Sequence, residues 1–528
     1  MLIPVDNLAS LGFIPDIPPS KLPPQAWSGI LNMRFSDGVV RKANGHTSIL
    51  TPTVAPYGLF PAPVFGSNFW AYTGLTKVYG FLGSSSQADI TRAAGDYTGG
   101  VLDRWNGCIF NEIPILNNGV DVPQAWSPVS LSQRLVNLSA WQAGAKAAVM
   151  RTFKNFLIGL DVTRGATHYR RMVKWSHPAA TGLPTSWDET DATKDAGELL
   201  IPEGVDSLID CLPLGDANIL YTETSAWAMT ISGTSTIFNL LPRFRSVGLL
   251  AQSCVAEFLN KHLCWTQDDV VVHNGVQAQS IIDGRLRQWL FAALGSSAYS
   301  LSTVAVHRPN REIWLCFAQG GGAVLNTALI WNWYLNTWTI RDLPNARAVA
   351  YSMYSPGAIS NDLWDAGPAG SWNAGGTGAW GETIRSRQQE GILIGTPDPV
   401  GIFLVDESQQ FNGVNFRSYV ERVDICATSV GRDGSIINDP RSTKLFSRVR
   451  PVIYADDGTS FLVYIGSRDF MNKAVVWQAP ETFVVGTDYK SDASTTGKFL
   501  AIRIEATADD DWELLGYDME VAVLGTEG

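Results

Sequence analysis

Charge is scarce in this sequence: Asp, Glu, Lys and Arg make up 17% of the residues, against 45% hydrophobic ones. A disordered chain or a coiled coil would need far more. Basic charge is in deficit, with 39 Lys and Arg facing 50 Asp and Glu for a formal net charge of −11. Gripping a nucleic acid backbone requires the opposite balance. Cysteine is sparse too. The six cysteines, at 108, 211, 254, 264, 316 and 426, are never at CxxC spacing, so neither a disulfide framework nor a zinc site is predicted. The six histidines, at 46, 168, 177, 262, 273 and 307, form no HExxH or paired metal spacing, and no GxSxG elbow occurs. No apolar run reaches membrane-spanning length. The first 27 residues lack a basic segment and are broken by Pro4, Pro15, Pro18 and Pro19, so neither a signal peptide nor a membrane role is expected.

What is plentiful points to sheets. The 528 residues include 49 Gly, 27 Pro and 19 Trp against only 8 Met, a mix of turn formers and rigid flat side chains that suits pleated structure. The length allows several domains or one large repeat architecture. Before Trp27 the chain is Pro-rich and reads as an extended arm, either lying on another surface or disordered. A hairpin follows, with Leu31 to Phe35 and Val39 to Lys42 joined at Ser36-Asp37-Gly38. These two elements make up a first segment, 1–50.

From 51 to 390 short apolar runs and turn signals alternate in sets of about four. Examples are Phe156 to Asp161 with His168 to Trp175, Val255 to Leu259 with His262 to Thr266 and Val270 to His273, and Val304 to His307 with Glu312 to Ala318, Ala328 to Leu335 and Trp338 to Arg341. At roughly 40 to 50 residues per four-stranded blade, this segment holds about six to eight blades of a β-propeller. No strict repeat is visible, and a stack of β-sandwiches is the competing arrangement. Asp283 to Leu294 breaks the pattern with helical periodicity and predicts one amphipathic helix that packs. Residues 391–528 form longer strands and read as a separate, acidic β-region; 401–528 carry 20 Asp and Glu against 12 Lys and Arg. The fold class is all-β, a propeller with an additional β-rich region from the termini.

Few motifs carry chemistry. Gly376-Thr377-Gly378-Ala379-Trp380-Gly381 fits GxGxxG, but a Gly-rich loop precedes it where a dinucleotide site needs a strand. That loop displays Trp364, Trp372 and Trp380, which either dock on a partner or fold back over a sheet. Asp456, Asp457, Gly458 and Phe461 approximate an Asp-box, a turn whose role is structural. Asp509-Asp510-Asp511 reads as a solvated turn, since adjacent side chains diverge. His262 and His273 fall on successive strands and read as satisfied histidines. A sialidase-like propeller would need arginines converging on one carboxylate; Arg243 with Arg245 and Arg448 with Arg450 are spaced for one strand face, but no acid and Tyr nucleophile can be placed beside them. No catalytic residue, cofactor or metal ligand is predicted.

Three groups of residues resemble one family. They are Leu22-Pro23-Pro24-Gln25-Ala26-Trp27 with Asn32 to Val40 and Gly45-His46; Phe153 to Leu160, Trp175-Ser176, Leu183 to Trp187, Asp268-Asp269-Val270 and His273-Asn274-Gly275; and Asp456-Asp457-Gly458, Gly497 to Arg503 and Trp512 to Asp518. In this order they resemble the tail hub or nozzle proteins of short-tailed (podovirus) bacteriophages over nearly the whole chain. The resemblance implies a virion structural protein, assembled in the host cytoplasm. It would form a hexameric homo-oligomer below the head-to-tail adaptor, extend the DNA-ejection channel, and carry tail fibre, spike or plug proteins. DNA would pass the lumen without specific binding, and an acidic wall would avoid phosphate contacts. The alternative is a carbohydrate-active or carbohydrate-binding propeller in which Trp stacks on sugar rings and paired carboxylates do acid and base work.

Overall fold

Tight turns set the architecture. Asp37 and Gly38, Asn111 and Glu112, and Leu259 and Asn260 all adopt positive φ, the pairwise left-handed geometry whose twist matches two antiparallel strands. The computed structural model describes residues 1–64, 67–84, 86–233, 237–295, 298–354, 389–432 and 435–526. Among them are seven antiparallel four-stranded sheets. Their first strands are Gly58–Val64, Asn106–Phe110, Ala145–Phe153, Leu208–Leu214, Val255–Phe258, Thr303–His307 and Ala348–Tyr354. Each first strand neighbours the next, and Ala348–Tyr354 returns to Gly58–Val64, closing a ring. The chain is therefore all-β and its main body is a seven-bladed propeller, numbered here as blades 1 to 7 in that order.

The middle strands of a blade are covered on both faces by neighbouring blades, so they read as unbroken apolar runs rather than alternations. Glu312–Phe317 is buried at every position, and so are the first five residues of Phe156–Arg164. The outer strands, such as Phe238–Phe244, are largely exposed. Blade 7 takes Gln389–Pro397 and Val400–Val405 as its second and third strands, and its fourth is His46–Leu50 from near the chain start. The register runs Ile402 to Leu50, Leu404 to Thr47 and Val405 to His46.

Gly12–Phe13 pairs with Ala26–Trp27 and Ala427–Val430 with Ile436–Asn438 in two-stranded sheets. The remaining strands form two six-stranded sheets, packed as a sandwich and built from both ends of the chain. In one, Met33–Ser36 and Val39–Lys42 join Trp512–Thr526, Ser442–Ala455 and Thr495–Gly497, and Leu2–Asp6 also pairs with Trp512–Thr526. In the other, Gly29–Leu31 joins Ser418–Ile425, Phe499–Ala506 and Ser460–Arg468. Alternate residues of both sheets face inward; Phe461 meets Trp512 edge-on at 5.1 Å. The same hydrophobic core continues through Trp265, Leu315 and Trp338 into blades 5 and 6.

Several sequence expectations are corrected. The propeller extends to Val405 and takes in His46–Leu50, where limits at 51 and 390 were expected; a ring gains by pairing its last sheet with an early strand. Of the two readings of the segment before Trp27, the structure shows it lying on other surfaces: Leu2–Asp6 fills a sheet edge and Asp16 accepts hydrogen bonds from the amides of Gln288 and Trp289 at 2.6 and 2.9 Å. The helix is only Arg287–Ala293, since Gly284 adopts a left-handed φ of +67 and turns the chain before it. Asn106–Phe110 and Ile113–Asn117 form a hairpin that turns at Asn111-Glu112.

Candidate functional site

Charge is gathered inside the molecule at several places among the described residues, and two of them join distant parts of the chain. The first lies on the propeller axis, at the end where the first strands of blades 1, 2, 6 and 7 begin. A cavity of about 130 Å³ there is lined from blades 1, 2, 3, 5, 6 and 7. Arg104, just before the first strand of blade 2, reaches across it: Nη1 donates to the carbonyls of Gln252, Ser300 and Ser302 at 2.7, 3.0 and 2.8 Å. Arg347 donates to the Val101 carbonyl at 2.9 Å and lies over the Tyr57 ring. Arg151 donates to Asp210 at 2.8 Å and to the Gly107 carbonyl at 3.1 Å. Burial, with repulsion from Arg151 and Arg347 adding to it, lowers the Arg104 pKa despite the neighbouring Asp210. The guanidinium of Arg104 thus spans the ring axis.

The second is the joint between propeller and sandwich. Arg34, on Met33–Ser36, donates to Glu312 of blade 6 through Nε at 2.6 Å and Nη2 at 3.1 Å, and to Asp406 at 2.9 Å. Arg341 donates to Asp406 at 3.3 Å and to the Gly45 carbonyl at 3.0 Å. Trp314 donates to Glu312 at 3.1 Å, and Asn310 donates to both His307 and Asp406 at 2.9 Å. Two guanidinium groups therefore meet two carboxylates out of water. Burial pushes the Glu312 and Asp406 carboxyls up, but Arg34 and its neighbours outweigh it and hold both below their ordinary values. Such a cluster is strong only while complete, because removing one partner strands a buried charge. It locks the early hairpin to blades 6 and 7.

The predicted residues are distributed as follows. Asp456, Asp457 and Gly458 form the turn between Ser442–Ala455 and Ser460–Arg468, with Gly458 at φ +94 and Phe461 buried in the core. Trp364, Trp372 and Trp380 lie outside the described residues. His262 and His273 are paired across strands, and Tyr221 lies between them, its hydroxyl 2.7 Å from His262 Nδ1 and from His273 Nε2. The Gly275 amide donates to His273 Nδ1, so His273 donates to Tyr221, Tyr221 donates to His262, and His262 donates to the Pro213 carbonyl. Both rings are neutral links in a satisfied chain. Asp510 accepts from Thr459 at 2.9 Å, and its carbonyl, with those of Ala508 and Gln409, receives the buried Lys42 ammonium. Among the described residues no group of three His, Cys, Asp or Glu is placed to hold a metal. Arg448 pairs with Glu520 at 2.9 Å and with Asp492, and Arg245 is exposed near Glu203, so neither predicted arginine pair converges.

Sequence reasoning missed both charge clusters. A signal existed for the joint: Arg34 stands between Met33 and Phe35, Glu312 opens Ile313-Trp314-Leu315, and Arg341 ends Trp338-Thr339-Ile340. A charge set in a run that is otherwise buried must find a partner. The axial arginines carry no such signature, since ring closure alone brings residues 104, 151 and 347 together.

No family model matches the chain, and no curated protein matches it. Among solved structures it is similar to the WD40 β-propeller domain of Doa1, at 11% identity over 69% of this chain and 95% of that chain, with a TM-score of 0.36. It is also similar to the β-propeller domain of Myceliophteria thermophila Cps50 (Swd1), at 8% identity over 59% of this chain and 93% of that one, TM-score 0.34. A third is a chain from a structural and mechanistic study of two prolyl endopeptidases, at 12% identity over 56% of this chain and 38% of that one, TM-score 0.25.

Proposed function

We propose that this chain is a structural subunit of the tail of a short-tailed bacteriophage, a hub or nozzle protein that assembles with copies of itself into a hexameric ring below the head-to-tail adaptor. The observation that carries the reading is the meeting of its opening and closing motifs. Val40 pairs with Leu514 and Arg41 with Glu513, while Gly29–Leu31 and Phe499–Ala506 flank Ser418–Ile425. Residues that carry the family resemblance at both ends thus build one sandwich, which the Arg34 cluster fixes to the propeller. A rigid block of this kind suits a ring wall.

With Arg104 across the axis, a duplex whose major groove alone is about 12 Å wide has no path through one propeller. The DNA channel belongs between subunits, and fibre, spike or plug proteins attach outside it. The sandwich offers exposed carboxylates at Asp456, Asp457, Asp469, Asp488, Asp509 and Asp511, a wall that would repel phosphates. A second reading, a carbohydrate-binding propeller, draws on the three axial arginines, which would hold the carboxylate of an acidic sugar. Electron microscopy of the purified chain separates the two: rings with an open axis are expected, and isolated propellers at every concentration would refute the tail reading.

A further inference from the structure

The axial cavity holds more positive charge than its surroundings neutralise. Of its three arginines only Arg151 has a carboxylate partner, and that carboxylate, Asp210, is already saturated by Arg151 and by the amides of Cys211 and Ser253 at 2.8 and 3.0 Å. Asp103 also lines the cavity, but it is exposed and accepts from the Gly100 amide at 2.7 Å. Among the described residues Arg104 bonds only through Nη1 and Arg347 only through Nη2. The remaining N–H groups of both guanidinium planes have no protein acceptor there.

The three guanidinium groups are partly exposed to this cavity rather than fully buried, and like charges drawn together in so confined a space favour an anion between them. Guanidinium groups from blades 2, 3 and 7 approach one space from different directions, which matches several oxygens of a tetrahedral ion better than the two coplanar oxygens of a carboxylate. The cavity has room for a compact ion together with water. We propose that the axial cavity binds a tetrahedral oxyanion, phosphate or sulfate, through Arg104, Arg151 and Arg347, so that the ion and Arg104 together seal the propeller axis. This goes beyond the tail reading and stands whether or not rings form.

Calorimetric titration and thermal melts of the full chain test it, with sodium phosphate, sodium sulfate or sodium acetate matched in ionic strength by chloride. Phosphate or sulfate is expected to bind saturably at one site per chain and raise the melting temperature, with acetate at least tenfold weaker; whichever tetrahedral ion binds more tightly identifies the ligand. Arg347→Gln, which loses one carbonyl bond and the contact with the Tyr57 ring, should stay folded with a melting temperature in chloride within a few degrees of the parent and lose at least tenfold in affinity. Arg104→Gln should lose as much, while Arg245→Gln at the exposed surface should bind normally. Absence of saturable binding to the unaltered chain, binding unchanged in Arg347→Gln, or an acetate response equal to that of phosphate would overturn the proposal.

Discussion

Glu312→Gln isolates what the joint between propeller and sandwich contributes. The substitution keeps volume but removes the charge facing Arg34 at 2.6 and 3.1 Å, and Asp406 is left alone against Arg34 and Arg341. Breaking one partner of a buried ion cluster costs about 3–5 kcal/mol. The loss should appear where the cluster holds, as easier opening of the Met33–Lys42 hairpin away from blade 6. If opening is local, that cost corresponds to roughly 10²–10⁴-fold faster amide exchange, at about 1.4 kcal/mol per factor of ten. Hydrogen–deuterium exchange resolved to residues 33–42 reads it directly, with the outer strands of blade 3 as an internal control. The paired variant Arg34→Met with Glu312→Leu removes both charges and leaves Arg341 with Asp406, so it should be less damaging than the sum of the single changes. Exchange at 33–42 within threefold of the parent in Glu312→Gln, or a paired variant as damaged as that sum, would refute the reasoning.

Three further outcomes follow from the same structure. Burial, helped by Arg341 and His262 respectively, pushes His46 down to about 3 and His273 down to about 4. Their depressed values mean that stability is complete above pH 6.5 and falls as pH drops toward 4, by about 1.4 kcal/mol per pH unit for each ring; melting curves from pH 7 to 5 should show the decline, and His273→Gln should make it shallower. Burial raises the thiols of Cys211, Cys254 and Cys264 to about 12, so these positions should alkylate slowly at pH 8 in the native chain, which should take up six labels only after denaturation; rapid native labelling of these three positions would contradict their burial. Replacing Asp456, Asp457, Asp509 and Asp511 by Lys should create salt-sensitive duplex binding, with a slope of about 0.9 per new phosphate contact in a plot of log affinity against log salt; a variant as indifferent to DNA as the parent would show that repulsion at these positions does nothing.

Legibility followed the range of the interactions. Hairpins such as Met33–Ser36 with Val39–Lys42 were readable because a few adjacent residues decide them. The blade estimate bracketed seven because strand and turn spacing is local too. The destination of His46–Leu50 was not readable, for its partner Val400–Val405 lies some 350 residues away and nothing in either strand names the other. The same holds for Leu2–Asp6, whose Pro4 suits an edge strand as well as a free arm. Asn111-Glu112 hid a hairpin because Glu is an uncommon residue at positive φ. The His262 and His273 pairing was visible from strand order, whereas Tyr221, the group that satisfies both, comes from the preceding blade.

The central claim is that these blades and this sandwich form one wall segment of a ring whose channel runs between subunits. Molar mass by light scattering on the purified full-length chain tests it most directly. A discrete species of about six times the 57.5 kDa chain mass is predicted. A single species at the chain mass, unchanged across a hundredfold range of concentration, would contradict it.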